Sequence, residues 1–181
     1  MPKILIVANN ALSKDDSNGR TLMNFLGMFT PDNIAQFHIH GQVDENCCKH
    51  HYQLSDQDIL FAVKHFGKNR NASLNNKITL NQNIKTNSAA LTSKVIKRSC
   101  RNLVLRDTVW RTYMWWDKNF DAFISNFAPD VVLLQAGDCP FMFHIALRIA
   151  KKYKVPLVMY NSEGYVLKKE LYSGSRKKDI W

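Results

Sequence analysis

The 181-residue chain has little of what defines several protein classes. It contains only 7 glycines and 5 prolines, which excludes collagen-like and low-complexity sequences. No apolar run approaches the roughly 20 residues that a membrane-spanning helix needs. Its 4 cysteines are not spaced like those of a disulfide framework. The sequence therefore predicts a globular, cytosolic protein with one sizeable core.

Positive charge is concentrated in the middle of the chain. The whole chain has 25 Lys and Arg against 15 Asp and Glu, which gives a formal net charge of +10. Residues 67–118 alone hold 11 basic and 2 acidic side chains. A local excess of this size indicates a specific anionic partner more than general solubility.

Residues 94–116 add tryptophans to this charge. A helix predicted over Lys94–Val104 has a basic face, and Trp110 and Trp115 lie off the apolar seam expected to follow it. This combination suits an anionic membrane surface or an anionic lipid-linked substrate. The alternative is a solvated face beside core aromatics. No recognisable nucleic-acid motif accompanies the charge, so nucleic acid is not expected as a partner.

Residues 129–165 predict a complete strand–helix–strand unit. Val131–Leu134 and Pro156–Tyr160 are apolar runs without alternation, a pattern typical of parallel strands covered on both faces. The helix between them is expected to begin at a cap formed by Asp138 or Cys139 and to carry lysines at its C-terminal end.

The rest of the chain extends this α/β pattern. Strands are predicted at Lys3–Ala8 and Ile34–His40, and helices at about Arg20–Phe29 and Asp56–Phe66. Together with the 129–165 unit, these elements predict one Rossmann-like domain over residues 1–181, with a parallel sheet and helices on both faces.

Two further segments complete the organisation. Asn-rich residues 67–92 are expected to form a mobile excursion from the core. Apolar and aromatic residues from Val109 to Phe127 recur at spacings of three and four, which predicts one long helix capped by Asp107.

A dense group of metal-ligand residue types lies between positions 38 and 51. The spacing of its cysteines and histidines matches no standard zinc pattern, so no metal is expected, although a structural metal site stays an open alternative. The group comprises His38, His40, Cys47, Cys48, His50 and His51.

Ligands of parallel α/β sheets bind beyond the carboxyl ends of the strands. The first such loop enters a helix through Asn18, Gly19, Arg20 and Thr21, where helix amides and an arginine suit a phosphate or carboxylate. With a single glycine it is neither a P-loop nor a dinucleotide fingerprint. The alternative is that these residues only cap the helix and relax the turn.

The loops after the other two strands supply the remaining candidates. Gly137 and Asp138 follow one strand, and Asn161, Ser162 and Glu163 follow the next. The Glu163 carboxylate suits proton acceptance from a hydroxyl nucleophile or binding of sugar hydroxyls. The alternatives are that Glu163 caps a following helix on the surface and that Asp138 is only an N-cap.

The segments KILIVANN, SNGRTL and PDVVLLQAGDCPFMFHIALRIAKKYKVPLVMYNSEGY resemble the N-terminal domain of a GT-B glycosyltransferase. The similarity is to the family 4-like enzymes of bacterial capsular and surface polysaccharide synthesis, and it covers residues 3–30 and 129–172 best. It implies a domain that holds no cofactor and binds a lipid-linked or saccharide acceptor. It also implies a C-terminal domain, absent from this chain, that binds the nucleotide-sugar donor.

The resemblance also assigns roles to residues. It implies that Asn18, Gly19, Arg20 and Thr21 approach the donor phosphates. It implies that Asn161, Ser162 and Glu163 line the acceptor cleft, with Glu163 as the catalytic residue. Because the chain stops on the apolar pair Ile180-Trp181, we expect it to be the front part of a longer protein and to be inactive alone.

Two other classes remain open at this point. One is a single-domain flavodoxin-like protein that binds a small phosphate ligand, and the other is a basic module that binds a membrane or another polyanion. Under the glycosyltransferase hypothesis the protein is cytoplasmic, with peripheral attachment to the inner face of the plasma membrane through residues 94–116 as an additional expectation.

Overall fold

The structure is a computed structural model that describes residues 1–13, 17–64, 100–137 and 139–161. These residues form two compact units. The first takes in the described parts of residues 1–56 and 116–161, and the second those of residues 57–115. Several sequence predictions lie outside the described residues: the 67–92 excursion, the first part of the basic helix, Asp138, Ser162 and Glu163.

The first unit is built on a five-stranded sheet in which every neighbouring pair is parallel. The strand order is β3-β2-β1-β4-β5. This is the Rossmann order, whereas in the flavodoxin order the first strand lies between the second and the third. The strands are β1 (Ile4–Val7), β2 (Ile34–His38), β3 (His50–Gln53), β4 (Val131–Gln135) and β5 (Leu157–Tyr160).

Three of the five α-helices in the described residues lie close to their predicted positions. A 3-10 turn at Pro31–Asn33 leads into β2. The α-helices are α1 (Ser17–Phe25), α2 (Asp56–Lys64), α3 (Cys100–Arg111), α4 (Lys118–Phe127) and α5 (Pro140–Tyr153).

Side chains of alternate strand positions divide the core of the first unit into two layers. On one face, Leu22 of α1 belongs to an apolar cluster with Ile6 and other strand residues. On the other face, Phe120 of α4 meets Phe37 and Tyr52 edge-on, with ring centroids 5.2 Å apart in both pairs. Helices therefore cover both faces of the sheet, and the predicted α/β Rossmann-like class is confirmed.

The prediction of one long helix from Val109 to Phe127 is wrong. α3 ends at Arg111, and Tyr113 has a left-handed φ of 54° that no helix accommodates. α4 then begins behind its own N-cap, because the Asp117 carboxylate accepts a hydrogen bond from the Phe120 N–H at 2.9 Å. The apolar period continues across the break, so periodicity alone did not reveal it.

Asp107 was expected to cap that helix, and this prediction is also wrong. It lies within α3, where its carboxylate pairs with the Arg111 guanidinium at 2.9 Å. An acid and an arginine four residues apart face each other on a helix, so the pair stabilises α3 instead of starting a new helix.

Trp110 and Trp115 of the second unit are buried. Their rings meet edge-on at 5.5 Å, and the Trp115 indole N–H donates to the Trp110 carbonyl at 2.9 Å. The sequence interpretation that left them free for a membrane surface is therefore wrong, because both contribute to the interior. Arg101 of α3 remains exposed.

β5 differs from the prediction that it is covered on both faces. Leu157, Val158 and Met159 are 36%, 50% and 56% exposed. β5 is the last strand of the described sheet and pairs with β4 alone in that part of the chain. On the α1 face, Phe25 stacks on Tyr160, with centroids 5.7 Å apart, and Tyr160 packs against the apolar cluster of that face. The unbroken apolar run predicted a strand covered on both faces, but in the described part of the chain it forms a strand with exposed side chains.

Candidate functional site

The strand order reverses between β1 and β4, and in doubly wound sheets the loops that leave the two strands at such a reversal border the ligand crevice. Asn9 follows β1, and Cys139 follows β4 as the N-cap of α5. The Cys139 thiol lies 3.6 Å from the Asn9 side-chain oxygen, across 130 positions of sequence. Doubly wound sheets bind their ligands at this place. We call the region around Asn9, Asn10, Gly137 and Cys139 the switch-point crevice.

The β1 loop is fixed by a glutamine inside the sheet. Gln36 of β2 is fully buried, and its side-chain oxygen accepts a hydrogen bond of 2.8 Å from the Leu12 N–H. Its side-chain nitrogen donates to the Asn10 carbonyl at 2.9 Å. Buried amides need both groups satisfied, so Gln36 selects one loop conformation. The loop thereby presents Asn9 and Asn10 in a defined position.

The backbone reinforces this arrangement. The Asn9 carbonyl accepts hydrogen bonds from the N–H groups of Ile39 and His40, at 3.2 and 2.9 Å. The Asn9 side-chain nitrogen also donates to the Asn10 side-chain oxygen at 3.2 Å. The pairing of β1 with β2 therefore continues past the ends of both strands, and the two asparagine side chains are oriented together.

Gly19, a predicted site residue, is explained by packing. A Cβ at this position would lie 2.5 Å from the Ser13 carbonyl oxygen and 2.8 Å from the Ser13 nitrogen. Only glycine allows α1 to approach the β1 loop this closely. Arg20 and Thr21 lie on the exposed side of the same turn. The side chain of Asn18 lies outside the described residues.

Gly137, by contrast, borders open space. Among the described residues, none places a heavy atom within 4 Å of the position that a Cβ would take there. Its loop is held beside the end of β5, because the Ala136 N–H donates to the Tyr160 carbonyl at 2.8 Å. Asn161 follows directly and is exposed. The sheet thus brings Gly137 and Asn161, both predicted site residues, to the same edge.

The described parts of these loops hold only uncharged groups. Residues 8–13, 136–137, 139 and 161 contain no Asp, Glu, Lys or Arg. Their side-chain amides supply both donors and acceptors. Such groups orient a polar, uncharged ligand such as a sugar or a nucleoside.

A buried histidine lies one strand away from the crevice. His38 of β2 is buried, and its Nδ1 lies 3.3 Å from the His40 carbonyl oxygen. Its Nε2 has no hydrogen-bond partner among the described residues. Burial lowers the pKa of His38 from 6.5 to about 4; the contact with the His40 carbonyl acts in the opposite direction, and the side-chain charges of His51 and His40 act in the same direction as burial. The imidazole is therefore neutral at physiological pH.

The predicted group of metal-ligand types is divided by the sheet. His38 and His51 lie on the α1 face with ring centroids 6.1 Å apart, whereas His50 faces α4 and meets Phe127. The Cys48 thiol donates to the Ile34 carbonyl, and burial raises its pKa to about 12. Within the described ranges, no three His, Cys, Asp or Glu residues are arranged to hold a metal ion.

Sequence reasoning missed three features of this site. No strand was predicted at β3, because its residues, HHYQ, carry no apolar pattern. The role of Gln36 had a signal, since it is a polar residue inside an otherwise apolar strand. Cys139 was expected as a cap. Its contact with Asn9 depends on which strands are neighbours in the sheet, and the residues around Cys139 do not determine that order.

The fold and these loops define a Rossmann-like α/β domain with polar side chains at the carboxyl edge of its sheet. Comparison with models of protein families, with curated proteins and with solved structures found no match in any of the three. In the part of the chain that the structure describes, no helix is both long enough and apolar enough to cross a bilayer.

Proposed function

We propose that this chain is the acceptor-binding N-terminal domain of a GT-B glycosyltransferase of bacterial polysaccharide biosynthesis. The enzyme would transfer a sugar from a nucleotide-sugar donor to a lipid-linked or saccharide acceptor. The observation that carries the proposal is the contact of Asn9 with Cys139 at the reversal of strand order, beside the open side of Gly137. In this proposal a C-terminal domain binds the donor and completes the active site.

The described side chains of the switch-point crevice suit an acceptor. Uncharged amides at Asn9 and Asn10 match the alternating donors and acceptors of sugar hydroxyls. The open side of Gly137 leaves room for a ligand against the backbone. Donor phosphates would be met by the exposed Arg20 at the first turn of α1, where helix amides favour an anion.

Glu163 carries the chemical step in this proposal. In the sequence it comes two residues after Asn161, which follows β5 and lies at the same edge of the sheet as Gly137. Its carboxylate would accept the proton of the acceptor hydroxyl as that oxygen bonds to the donor sugar and the nucleoside diphosphate leaves. The domain itself holds no cofactor.

The proposed location is the cytoplasmic side of the plasma membrane. The flavodoxin-like alternative is less well supported, because its strand order differs from the one observed. A flavin ligand would also give the protein a visible absorption band, which makes this alternative simple to test.

Ligand titration followed by amide NMR tests acceptor binding directly. We expect a neutral oligosaccharide to shift the amide signals of Asn9, Asn10 and Gly137. Asn9→Ala should weaken binding about fivefold to tenfold, the contribution of one hydrogen bond. Asn126→Ala is the matched control, since this exposed asparagine of α4 precedes Phe127, whose carbonyl accepts from Lys3 at the opposite edge of the sheet. Equal affinity of the two variants would contradict the proposed site.

Turnover tests the catalytic assignment. In the enzyme that includes its donor-binding domain, Glu163→Gln should lower kcat by roughly 100-fold to 10,000-fold, the usual contribution of a general base. Glu170→Gln, a change of the same kind seven residues later, is the control. An unchanged kcat in Glu163→Gln would show that Glu163 does not act as the general base.

A further inference from the structure

Outside the crevice, α5 and β5 form an exposed surface that is both apolar and basic. We call it the α5–β5 surface. Its apolar side chains are between 36% and 56% exposed. These apolar side chains are Phe143, Leu147, Leu157 and Met159, and the basic ones beside them are His144, Arg148, Lys151 and Lys154.

Contacts with neighbouring elements fix the orientation of α5. One flank is held against α4, because Arg148 and Lys152 lie over the Trp116 ring, at 5.0 and 5.4 Å from its centroid. Lys152 also pairs with Asp121 of α4 at 2.6 Å. The side of α5 that packs on the sheet consists of Phe141, Met142, Ile145, Ala146, Ile149 and Ala150.

Phe143 and Leu147 are four residues apart and lie on the opposite flank of α5 from Arg148 and Lys152. This flank is directed towards β5, which α5 contacts. Leu157 and Met159 point to the same face of the sheet, since they are in register with Val132 and Leu134. The four exposed apolar side chains therefore form one patch across the helix and the strand.

The charge of this surface has one sign. Residues 140–161 contain Arg148, Lys151, Lys152 and Lys154 and no Asp or Glu. A shallow hollow of about 480 Å³ lies on the outer side of α5, lined by His144, Leu147, Arg148, Lys151 and Lys152. Of the four cations, Lys152 is engaged by Asp121, while Lys151 and Lys154 are exposed beside the apolar patch.

We propose that the α5–β5 surface docks on an anionic lipid bilayer. An exposed apolar patch on a soluble domain marks an interaction site. Apolar side chains that enter the interface, with Lys and Arg beside them to meet anionic headgroups, are the features that hold a peripheral protein on such a bilayer. This surface uses none of the residues that define the switch-point crevice, so the proposal does not depend on the proposed function.

Other occupants fit the surface less well. A second copy of the chain paired through β5 would bring Lys151 and Lys154 towards their own counterparts, and like charges across an interface oppose association. A nucleic acid would use the cations but leave Leu157 and Met159 exposed. The bilayer accounts for both the charge and the apolar patch.

Vesicle co-sedimentation tests the proposal with two matched double variants. The chain should bind vesicles that contain phosphatidylglycerol, bind neutral phosphatidylcholine vesicles much more weakly, and be released by salt. Each lysine near an anionic surface contributes roughly fivefold to the partition coefficient. Lys151→Glu/Lys154→Glu should therefore lower partitioning at least about 30-fold. Lys64→Glu/Lys118→Glu reverses two exposed lysines elsewhere and should lower it much less.

The apolar component has its own test. Leu147→Ser/Met159→Ser should weaken partitioning while the melting temperature stays close to that of the parent, because both side chains are already exposed. Vesicles should protect the amides of residues 143–160 from hydrogen exchange. Arg101→Glu reverses an exposed charge of α3, and its effect on partitioning in the same vesicle assay measures the contribution of residues 94–116.

Several results would overturn the proposal. Binding that ignores the anionic lipid fraction would do so, as would equal losses in the two lysine double variants. A dimer in light scattering that persists without vesicle binding would assign the surface to a second copy. Salt-sensitive binding to duplex DNA with no binding to vesicles would assign it to a nucleic acid.

Discussion

The side-chain oxygen of Gln36 accepts a hydrogen bond of 2.8 Å from the backbone N–H of Leu12, and both groups are buried. The same amide holds the Asn10 carbonyl. Through these two bonds, a residue inside β2 determines the shape of the loop that follows β1. The geometry of the candidate site is thus set by a residue that does not face the crevice.

Replacing Gln36 with leucine should therefore disturb both stability and the loop. The change removes a buried hydrogen bond from the Leu12 N–H and a partly buried one to the Asn10 carbonyl, at a cost of about 2–4 kcal/mol in the free energy of unfolding. Urea unfolding measures this loss, and hydrogen exchange of residues 9–13 should speed up relative to β1. Gln53→Leu is the control, because the bonds of Gln53 to Ile39 and Gly41 are longer and partly exposed. Similar losses for both variants would contradict the role given to Gln36.

Two glycines of the predicted site should respond in opposite ways to alanine. At Gly19 a Cβ would meet Ser13 backbone atoms at 2.5 and 2.8 Å, so Gly19→Ala should cost more than about 2 kcal/mol of stability. At Gly137 the described residues leave the Cβ position open. Gly137→Ala should change stability by less than about 1 kcal/mol and weaken any ligand that lies against this backbone.

Thermal unfolding and ligand titration of the two variants separate these effects. A stable Gly19→Ala protein would show that α1 moves away from the β1 loop at little cost. A Gly137→Ala protein that unfolds early would show that the open side is occupied in solution by another part of the chain.

The architecture of the first unit was largely predictable. Val131–Leu134 and the apolar start of the chain have the uniform hydrophobicity of buried parallel strands. The helix after Cys139 has a proline in its first turn and lysines in its last turn, and these signals place both ends. Local patterns of this kind depend only on neighbouring residues, which explains why they succeed.

The failures depend on contacts distant in sequence or on a turn that the apolar period does not reveal. The exposure of Met159 follows from the position of β5 at the end of the sheet, and its apolar run looks the same whether the strand is covered or not. The burial of Trp110 follows from packing against Trp115 after the chain turns at Tyr113. The meeting of Asn9 with Cys139 requires the strand order itself.

Asp121 links α4 to α5 and should matter more than an ordinary surface acid. Its Oδ1 accepts hydrogen bonds from the Trp116 indole, from Lys152 and from the Tyr153 hydroxyl, at 2.7, 2.6 and 2.9 Å. Partial burial acts to raise the pKa of Asp121, but these donors outweigh it and hold the pKa below the ordinary value. Asp121→Ala should lower the free energy of unfolding by about 1–3 kcal/mol at neutral pH.

An exposed ion pair provides the comparison for Asp121. Asp32 pairs with Lys49 at 2.8 Å, but both side chains are more than half exposed, and such pairs contribute little. Asp32→Ala should therefore have a clearly smaller effect in the same urea titration. Because the pKa of Asp121 is depressed, its contribution is present above the ordinary carboxyl pKa and is lost as the pH falls through the folded value. Equal effects of the two changes at neutral pH would contradict the network.

Stability should also decline in mild acid because of His38. Burial lowers the folded pKa of His38 to about 4, whereas the unfolded imidazole keeps its value near 6.5. The unfolded chain therefore binds a proton first as the pH falls. The contribution of the neutral His38 side chain to the free energy of unfolding is complete above about pH 6.5. It decreases towards pH 4, by up to about 3 kcal/mol. Urea titrations between pH 7 and pH 4 measure this slope, which should shrink in His38→Gln and persist in His144→Gln, where the histidine is exposed on α5. An unchanged slope in His38→Gln would show that another group causes the acid sensitivity.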